Sequence, residues 1–279
     1  MLENLLAEGT VAFMTCQSRG TSNVVRSLKS AGRGYRVLFA NGDLYHFYRG
    51  HISICRPPNM RSVAVGMTVL EHEENDQTVV LFYDGTLMLS SNAGWSVVGS
   101  VTPKDDNALV AVTGHLLSNV AVMYRDGTVV DLYGSTLAAP ADPHPTPGAS
   151  LLASPNAKGL YIVGSGGWVE SVNGDLPYHG SLSRVKLNGP IVDGAITSQC
   201  DGYWLLGSDG GVFTFGSARF HGSLSGVISG HSARSILPLP DGSGYWILLR
   251  SGKVYALGNC AYLGSMIYHP KGALAIQLA

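Results

Sequence analysis

Gly202–Leu224, with the sequence GYWLLGSDGGVFTFGSARFHGSL, contains an apolar run, a Ser-Asp-Gly-Gly turn, a second apolar run and a third run that is rich in aromatic residues. Short apolar runs separated by glycine-containing turns predict two or three short strands joined by tight turns. The pattern returns at Gly244–Met266 and, more loosely, at Gly159–Leu182. Repetition at a period of about forty residues predicts a repeat architecture.

A glycine in the turn marks each repeat, because glycine tolerates the positive φ that a hairpin turn requires. Neighbouring turn glycines are 33 to 43 residues apart, and 36 residues separate the last from the first through the two termini. They are Gly9, Gly42, Gly85, Gly127, Gly167, Gly210 and Gly252. Seven units therefore account for the whole chain, which predicts a single domain over residues 1–279.

The two ends of the chain resemble complementary parts of one unit. Gly272–Ala279 (GALAIQLA) resembles the first apolar segment of a repeat, and Leu5–Phe13 resembles the second and third segments. Placed tail to head, residues 272–279 and 1–20 complete a unit, with the C-terminal residues as its innermost strand. Such a shared unit leaves no unpaired strand edge at the seam. The sequence therefore predicts an all-β, seven-bladed β-propeller whose closing blade is shared between the termini.

Composition narrows the classes of function. The chain has 36 glycines and 13% charged residues, which suits short strands and frequent turns. A net charge of −1 provides no attraction for nucleic acid or an acidic membrane. The N-terminal residues MLENLLAEG lack a basic region and carry Glu3 and Glu8, so we expect no secretory signal. No apolar run approaches the ~18 residues of a membrane span. We expect a chain folded in a cytosol, neither membrane-inserted nor bound to nucleic acid.

The cysteines and histidines do not have the spacing of catalytic or metal-binding motifs. The cysteines are isolated, which favours buried free thiols and leaves a disulfide pair as the alternative; they are Cys16, Cys55, Cys200 and Cys260. His179 and His221 occupy the same position in successive repeats, where the next repeat has Leu263. This periodic placement indicates a structural position rather than metal ligands. We expect no metal and no cofactor.

Acidic and aromatic residues also follow the repeat. Asp84, Asp126 and Asp209 precede turn glycines, where Asp favours the turn by hydrogen bonding its backbone. They are poor candidates for a general acid or base, which needs carboxylates converging on one site. The aromatic residues of the strands are expected to pack between blades; an exposed ladder that stacks on sugars is the alternative. We expect no catalytic residues and no enzyme, although acids converging at a channel mouth would indicate a hydrolase.

Polar segments that interrupt the period predict loops between blades, where propellers commonly bind partners. The segments are Arg56–Arg61, Glu71–Gln77, Thr102–Asn107 and the proline-rich Leu137–Ser150. Their candidate partner-contact residues are Arg56, Asn59, Arg61, Glu73, Asp76, Lys104, Asp105 and His144. The alternative for each loop is a solvated surface without a partner.

Gly202–Leu224 resembles the repeat Gly-Tyr-Trp-Leu-x-x-x-Asp-Gly-Gly-Val-Phe-x-Phe-Gly-x-Ala-x-Phe-x-Gly-Ser of actinobacterial proteins and of the phages that infect them. The match is good over Gly244–Ser265 and Gly159–Leu182, whereas the first half of the chain keeps only the apolar–turn–apolar skeleton. Cellular proteins with this repeat are commonly exported and joined to other domains, whereas for this chain we expect no export signal and a single ring.

The resemblance implies a β-propeller and a minor tail protein of a phage virion, assembled in the host cytoplasm. The implied role is structural and non-enzymatic: docking onto other tail proteins at the tail tip, with contact to a host cell-surface glycan or envelope component. The alternative is a lectin-like, carbohydrate-binding propeller that is not part of a virion.

Overall fold

Short antiparallel strands joined at glycine turns make up the chain, as the sequence predicts. The computed structural model describes residues 12–14, 25–31, 34–48, 51–58, 62–70, 77–114, 116–139, 144–154, 159–172, 176–230, 232–268 and 274–277. Within these residues the only helical segment is a single 3-10 turn at Leu117–Asn119. The all-β prediction is confirmed.

The strands assemble into small sheets that are antiparallel throughout. β1 (Ala12–Met14) precedes sheet 1, which contains β2 (Val25–Ala31), β3 (Gly34–Phe39), β4 (Leu44–Tyr48) and β5 (His51–Cys55). Sheet 2 contains β6 (Ala64–Leu70), β7 (Gln77–Phe82), β8 (Thr86–Ser91) and β9 (Gly94–Ser100). Sheet 3 contains β10 (Leu109–Thr113), β11 (Ala121–Tyr124), β12 (Val129–Asp131) and β13 (Thr136–Ala138).

The second half of the chain forms three-stranded sheets. Sheet 4 contains β14 (Gly148–Ala153), β15 (Leu160–Gly164) and β16 (Val169–Val172). Sheet 5 contains β17 (Ile191–Ile196), β18 (Gly202–Gly207) and β19 (Val212–Gly216). Sheet 6 contains β20 (Ala233–Pro238), β21 (Gly244–Leu249) and β22 (Val254–Gly258). A terminal sheet contains β1, β23 (Ser265–Tyr268) and β24 (Leu274–Gln277).

The turn between the second and third strands of each numbered sheet is built as the sequence predicts. Its glycine has a φ between +82° and +93°, the left-handed region that favours glycine; Gly9 lies outside the described residues. In sheets 2, 3 and 5 the residue before this glycine is an aspartate that caps the turn. Asp126 Oδ1 accepts a hydrogen bond from the backbone N–H of Thr128 at 2.8 Å, and Asp209 Oδ1 accepts one from Gly211 at 3.0 Å. The interpretation of these acids as turn caps is confirmed.

The numbered sheets follow one another around a closed cycle. The first strand of each sheet lies beside the first strand of the next, in the order β2, β6, β10, β14, β17 and β20, and β20 lies beside β2. A cluster of buried apolar side chains fills each junction between neighbouring sheets. At the junction of sheets 5 and 6 this cluster includes Trp204 and Tyr245, which are almost fully buried. The arrangement is consistent with a β-propeller-like fold.

The terminal sheet pairs the two ends of the chain, as expected: Ala12 pairs with Ile276 and Met14 with Leu274. Two details differ from the prediction. β24 lies in the middle of this sheet rather than at its inner edge, because the C-terminal segment contributes two strands and the N-terminal segment one. In the described part of the chain, sheet 6 contacts sheet 1 directly, so the predicted count of seven blades in the ring is not confirmed.

One side-chain contact explains why the cycle closes between sheets 6 and 1. The Tyr203 hydroxyl donates a hydrogen bond to the Gly180 carbonyl of the preceding sheet's loop, and the Tyr245 hydroxyl donates one to Gly222 at 2.5 Å. Gly264 holds the equivalent position after sheet 6, and its carbonyl accepts a hydrogen bond from Tyr35 of sheet 1.

The seam therefore repeats the contact that joins successive repeats. The Tyr35 ring also packs against Trp246, with ring centroids 5.8 Å apart. Burying two large aromatic side chains stabilises such a junction.

We expect Tyr35→Phe and Tyr245→Phe to lower the free energy of unfolding by similar amounts, about 1–2 kcal/mol each, since each removes one hydrogen bond to a carbonyl at a sheet junction. Tyr133→Phe is the matched control, because this tyrosine is 79% exposed. Urea unfolding of the three variants measures the effect. A Tyr35→Phe variant as stable as the Tyr133→Phe control would contradict a seam between sheets 6 and 1.

The tyrosines at the sheet junctions should make the stability of the protein sensitive to alkali. Burial raises the pKa of Tyr203 to about 12 and raises the pKa of Tyr245 above its usual value. Since the folded pKa lies above the unfolded one, the stabilisation is complete below about pH 10 and is lost as the pH rises towards the folded pKa. We expect the free energy of unfolding, measured in urea, to fall above pH 10. Tyr203→Phe should make that fall shallower; an unchanged slope would contradict this assignment.

Candidate functional site

A β-bulge occurs at the same position in the first strand of every numbered sheet. In sheet 5 the register shifts between Ile191, which pairs with Gly207, and Asp193, which pairs with Leu206. The bulged residues are Arg26, Val65, Val110, Ala149, Val192 and Arg234. Bulges redirect side chains and are often found beside binding sites. Their repetition marks one end of the ring as the place where side chains are redirected.

The backbone of the turns holds this end of the ring together. Ser208, two residues before the turn glycine, donates its N–H to the Pro190 carbonyl at 2.8 Å, and its own carbonyl accepts from the N–H of Ala233 in the next sheet at 3.0 Å. Arg125 holds the equivalent position in sheet 3 and makes the same bonds with Ala108 and Gly148. These bonds use backbone atoms alone, so they do not require a particular side chain at this position.

A cavity of about 720 Å³ lies at this end of the ring. Its walls come from the beginnings of the first strands of sheets 2 to 6, which are neighbours around the cycle, so it lies on the ring axis. The bulged residues of these five sheets line it. Turn residues two before the glycine also line it, namely Tyr83, Arg125, Ser165 and Arg250. We call this feature the axial mouth.

Asp193 is the carboxylate in the lining of the axial mouth and connects three sheets. The Ser150 hydroxyl of sheet 4 donates to its Oδ1 at 2.8 Å. The Ser235 hydroxyl and the Ile236 N–H of sheet 6 donate to its Oδ2 at 2.6 and 3.1 Å. Both oxygens of this buried carboxylate are therefore occupied. A pair of carboxylates, which glycoside hydrolysis requires, is absent from the described lining of the mouth.

Arginines give the lining of the axial mouth a net positive charge. Arg125, Arg234 and Arg250 line it, against the single carboxylate of Asp193. Arg125 and Arg250 are exposed, and Arg234 is half-buried. Along the cycle of described first strands, two sheets separate sheet 3 from sheet 6 in either direction, so Arg125 and Arg250 occupy the same turn position on opposite sides. Sequence reasoning missed these arginines and Asp193. Aligning the repeats on their turn glycines would have shown that these positions vary in charge.

The described members of the predicted partner-contact set are not among the residues that line the axial mouth. Arg56 pairs with Asp43, with Nε and Oδ1 3.2 Å apart. The Lys104 ammonium lies 4.5 Å from the centre of the Tyr124 ring. Asp105 is exposed. Asn59, Arg61, Glu73 and Asp76 lie outside the described residues.

His144 contacts its own sheet instead of extending into solvent. Its ring stacks on Trp168 with centroids 3.6 Å apart, and its Nε2 lies 2.9 Å from Glu170 Oε2. Described members of the predicted set therefore form local contacts and do not converge on one site.

The repeat-position histidines lie at sheet junctions. The His221 ring packs edge-on against Tyr245, and its Nε2 lies 2.8 Å from the Gly242 carbonyl oxygen. His179 packs in the same way against Tyr203. Within the described residues, His, Cys, Asp and Glu side chains form no group of three or more that could hold a metal ion.

The described cysteines form no disulfide with one another. They are Cys55, Cys200 and Cys260; Cys16 lies outside the described residues. Cys200 is buried and the other two are half-buried. Among the described residues there is no helix with the length and apolarity needed to cross a membrane.

Comparison with known proteins supports the fold and leaves the function open. No protein-family model and no curated protein matches the sequence. The structure is similar to the crystal structure of a protein of unknown function from Bacteroides thetaiotaomicron, with 9% identity, a TM-score of 0.55, and coverage of 90% of this chain and 72% of that chain. A likeness at this identity concerns the fold alone.

We expect Asp193→Ala to lower the free energy of unfolding by about 2–3 kcal/mol, because hydrogen bonds to a charged group are among the stronger ones and two buried serine hydroxyls would lose their acceptor. Asp105→Ala is the matched control, since this side chain is exposed. Urea unfolding measures both. Equal stability of the two variants would contradict a structural role for the carboxylate.

Proposed function

We propose that the protein is a non-enzymatic interaction ring that docks onto other proteins in a phage particle, at the tail tip. The observation that carries the docking role is a set of exposed apolar side chains repeated on neighbouring loops. Tyr178 and Phe220 hold the same repeat position after sheets 4 and 5 and are 62% and 59% exposed. Exposed aromatic side chains are costly in water and are typical anchors of protein interfaces.

A second pair extends this surface. Val185 and Val227 also hold equivalent positions in the loops after sheets 4 and 5, and they are 50% and 67% exposed. We call Tyr178, Val185, Phe220 and Val227 the loop apolar set. A partner with a matching apolar surface would cover it on both sheets at once. The phage context rests on the resemblance of Gly202–Leu224 to the actinobacterial repeat.

The number of blades in the ring is also part of this proposal. We take the blades of the propeller to be the six numbered sheets, because the Tyr35 hydrogen bond to Gly264 repeats the bonds made by Tyr203 and Tyr245. The terminal sheet then lies outside the cycle of first strands. A closed ring would hold the two halves of the loop apolar set, on the loops after sheets 4 and 5, at a fixed separation.

Mass spectrometry of purified particles of a phage that encodes the chain tests the virion assignment, and absence of the chain from intact particles would contradict it. For docking, we expect the double variant Tyr178→Ser/Phe220→Ser to reduce incorporation about tenfold or more, because interface aromatics commonly carry most of the binding energy. Tyr133→Ser, which removes an even more exposed tyrosine from a loop of sheet 3, is the control. Normal incorporation of the double variant would contradict this docking surface.

The alternative is a carbohydrate-binding module. The four tryptophans do not favour it, since Trp168, Trp204 and Trp246 are buried and Trp95 is half-buried. Tyr83 favours it, because its ring is 61% exposed beside the axial mouth, where a sugar ring could stack on it. Specific, saturable binding on a glycan array that Tyr83→Ala abolishes would support this alternative.

A further inference from the structure

We propose that the axial mouth binds a small multivalent oxyanion, a polar molecule that carries several phosphate or carboxylate groups. This inference does not depend on docking to a tail protein, since it concerns the ring axis and not the loop apolar set. It rests on the position of the arginines, the state of the one lining carboxylate, and the size of the cavity.

The hydrogen bonds that hold the turns together do not involve the arginine side chains. Their position two residues before the turn glycine is filled by Ala40, Ser165 and Ser208 in other sheets, and backbone atoms make its hydrogen bonds in each case. Within the described residues, neither the Arg125 nor the Arg250 side chain forms an ion pair or a hydrogen bond. Long charged side chains at positions where alanine and serine suffice are therefore available to a ligand.

Their arrangement suits a ligand with more than one anionic group. Arg125 and Arg250 lie on opposite sheets of the ring, and Arg234 lies at the bulge of sheet 6 in the same lining. A guanidinium group binds phosphate or carboxylate oxygens through paired N–H donors, which adds both strength and orientation. A ligand with groups at both ends would bridge the mouth.

The local charge remains positive after the carboxylate is counted. Asp193 already accepts three hydrogen bonds from Ser150, Ser235 and Ile236, so it is held by the ring and not by the arginines of the turns. The chain as a whole carries a net charge of −1, so the positive mouth is a local feature. A cleft lined by one sign of charge attracts ligands of the opposite sign.

The cavity has the size of a small-molecule site. Its volume of about 720 Å³ lies within the range of about 300–1,000 Å³ that is usual for ligand pockets. The Ser165 side chain and the rim ring of Tyr83 add hydroxyl groups and an apolar face. A phosphorylated sugar or a compact polycarboxylate would fit both the charge and the space.

Isothermal titration calorimetry of the full chain with pyrophosphate and, separately, citrate at low ionic strength tests the proposal. We expect saturable binding of one ligand per chain to at least one probe, weakened by added salt because part of the attraction is screened. Binding of pyrophosphate alone identifies a phosphate ligand, and binding of citrate alone a carboxylate ligand. Lack of binding to both probes at millimolar concentration would overturn the proposal.

The double variant Arg125→Gln/Arg250→Gln locates the site. We expect its affinity to fall about tenfold or more, because it removes the guanidinium groups of both turn arginines in the lining of the mouth. Arg184→Gln removes an exposed arginine away from the mouth and should leave affinity nearly unchanged. Urea midpoints verify that each variant is folded. An equal loss in the control variant would show diffuse charge attraction and overturn the proposal.

Discussion

The contact between sheet 6 and sheet 1 is the constraint on which the rest of the molecule depends. Tyr35 donates its hydroxyl hydrogen to Gly264 and packs its ring on Trp246, although these residues are more than two hundred positions from it in the chain. Without that junction the first strands of the two sheets would each present an exposed side to water. With it, each first strand has a neighbour on both sides, and the cycle defines an axis.

Residues that differ between the repeats lie around that axis. Because every numbered sheet begins its first strand at the same end, the bulges and the turns of distant repeats meet around one cavity. Arg125 and Arg250 are far apart in sequence and are brought to opposite sides of it by the ring alone. The buried bridge of Asp193 between sheets 4 and 6 then fixes the walls, which a ligand site requires if its groups are to be held at constant separation.

Local features of this fold could be predicted from the sequence because they repeat locally. The turn glycines, the cap by Asp209 and the burial of Tyr203 and Trp204 each follow from a pattern within one repeat. The number of sheets in the ring could not, because it depends on which tyrosine meets Gly264, a contact between the two ends of the chain. Phe220 is exposed although it belongs to the aromatic repeat, because β19 has already ended at Gly216 and strand alternation no longer applies.

The repeats contain two kinds of position, those where the residue recurs and those where it varies. Residues that recur, such as Tyr203 and Tyr245, make the same contact at the junctions of sheets 4 and 5 and of sheets 5 and 6, so a change in either acts on the fold. At the turn position of Arg125 backbone atoms make the hydrogen bonds between sheets, and the side chain differs from sheet to sheet. A ring built in this way can change what it binds while its architecture stays the same, which is why the motif indicates the repeat type far better than the ligand.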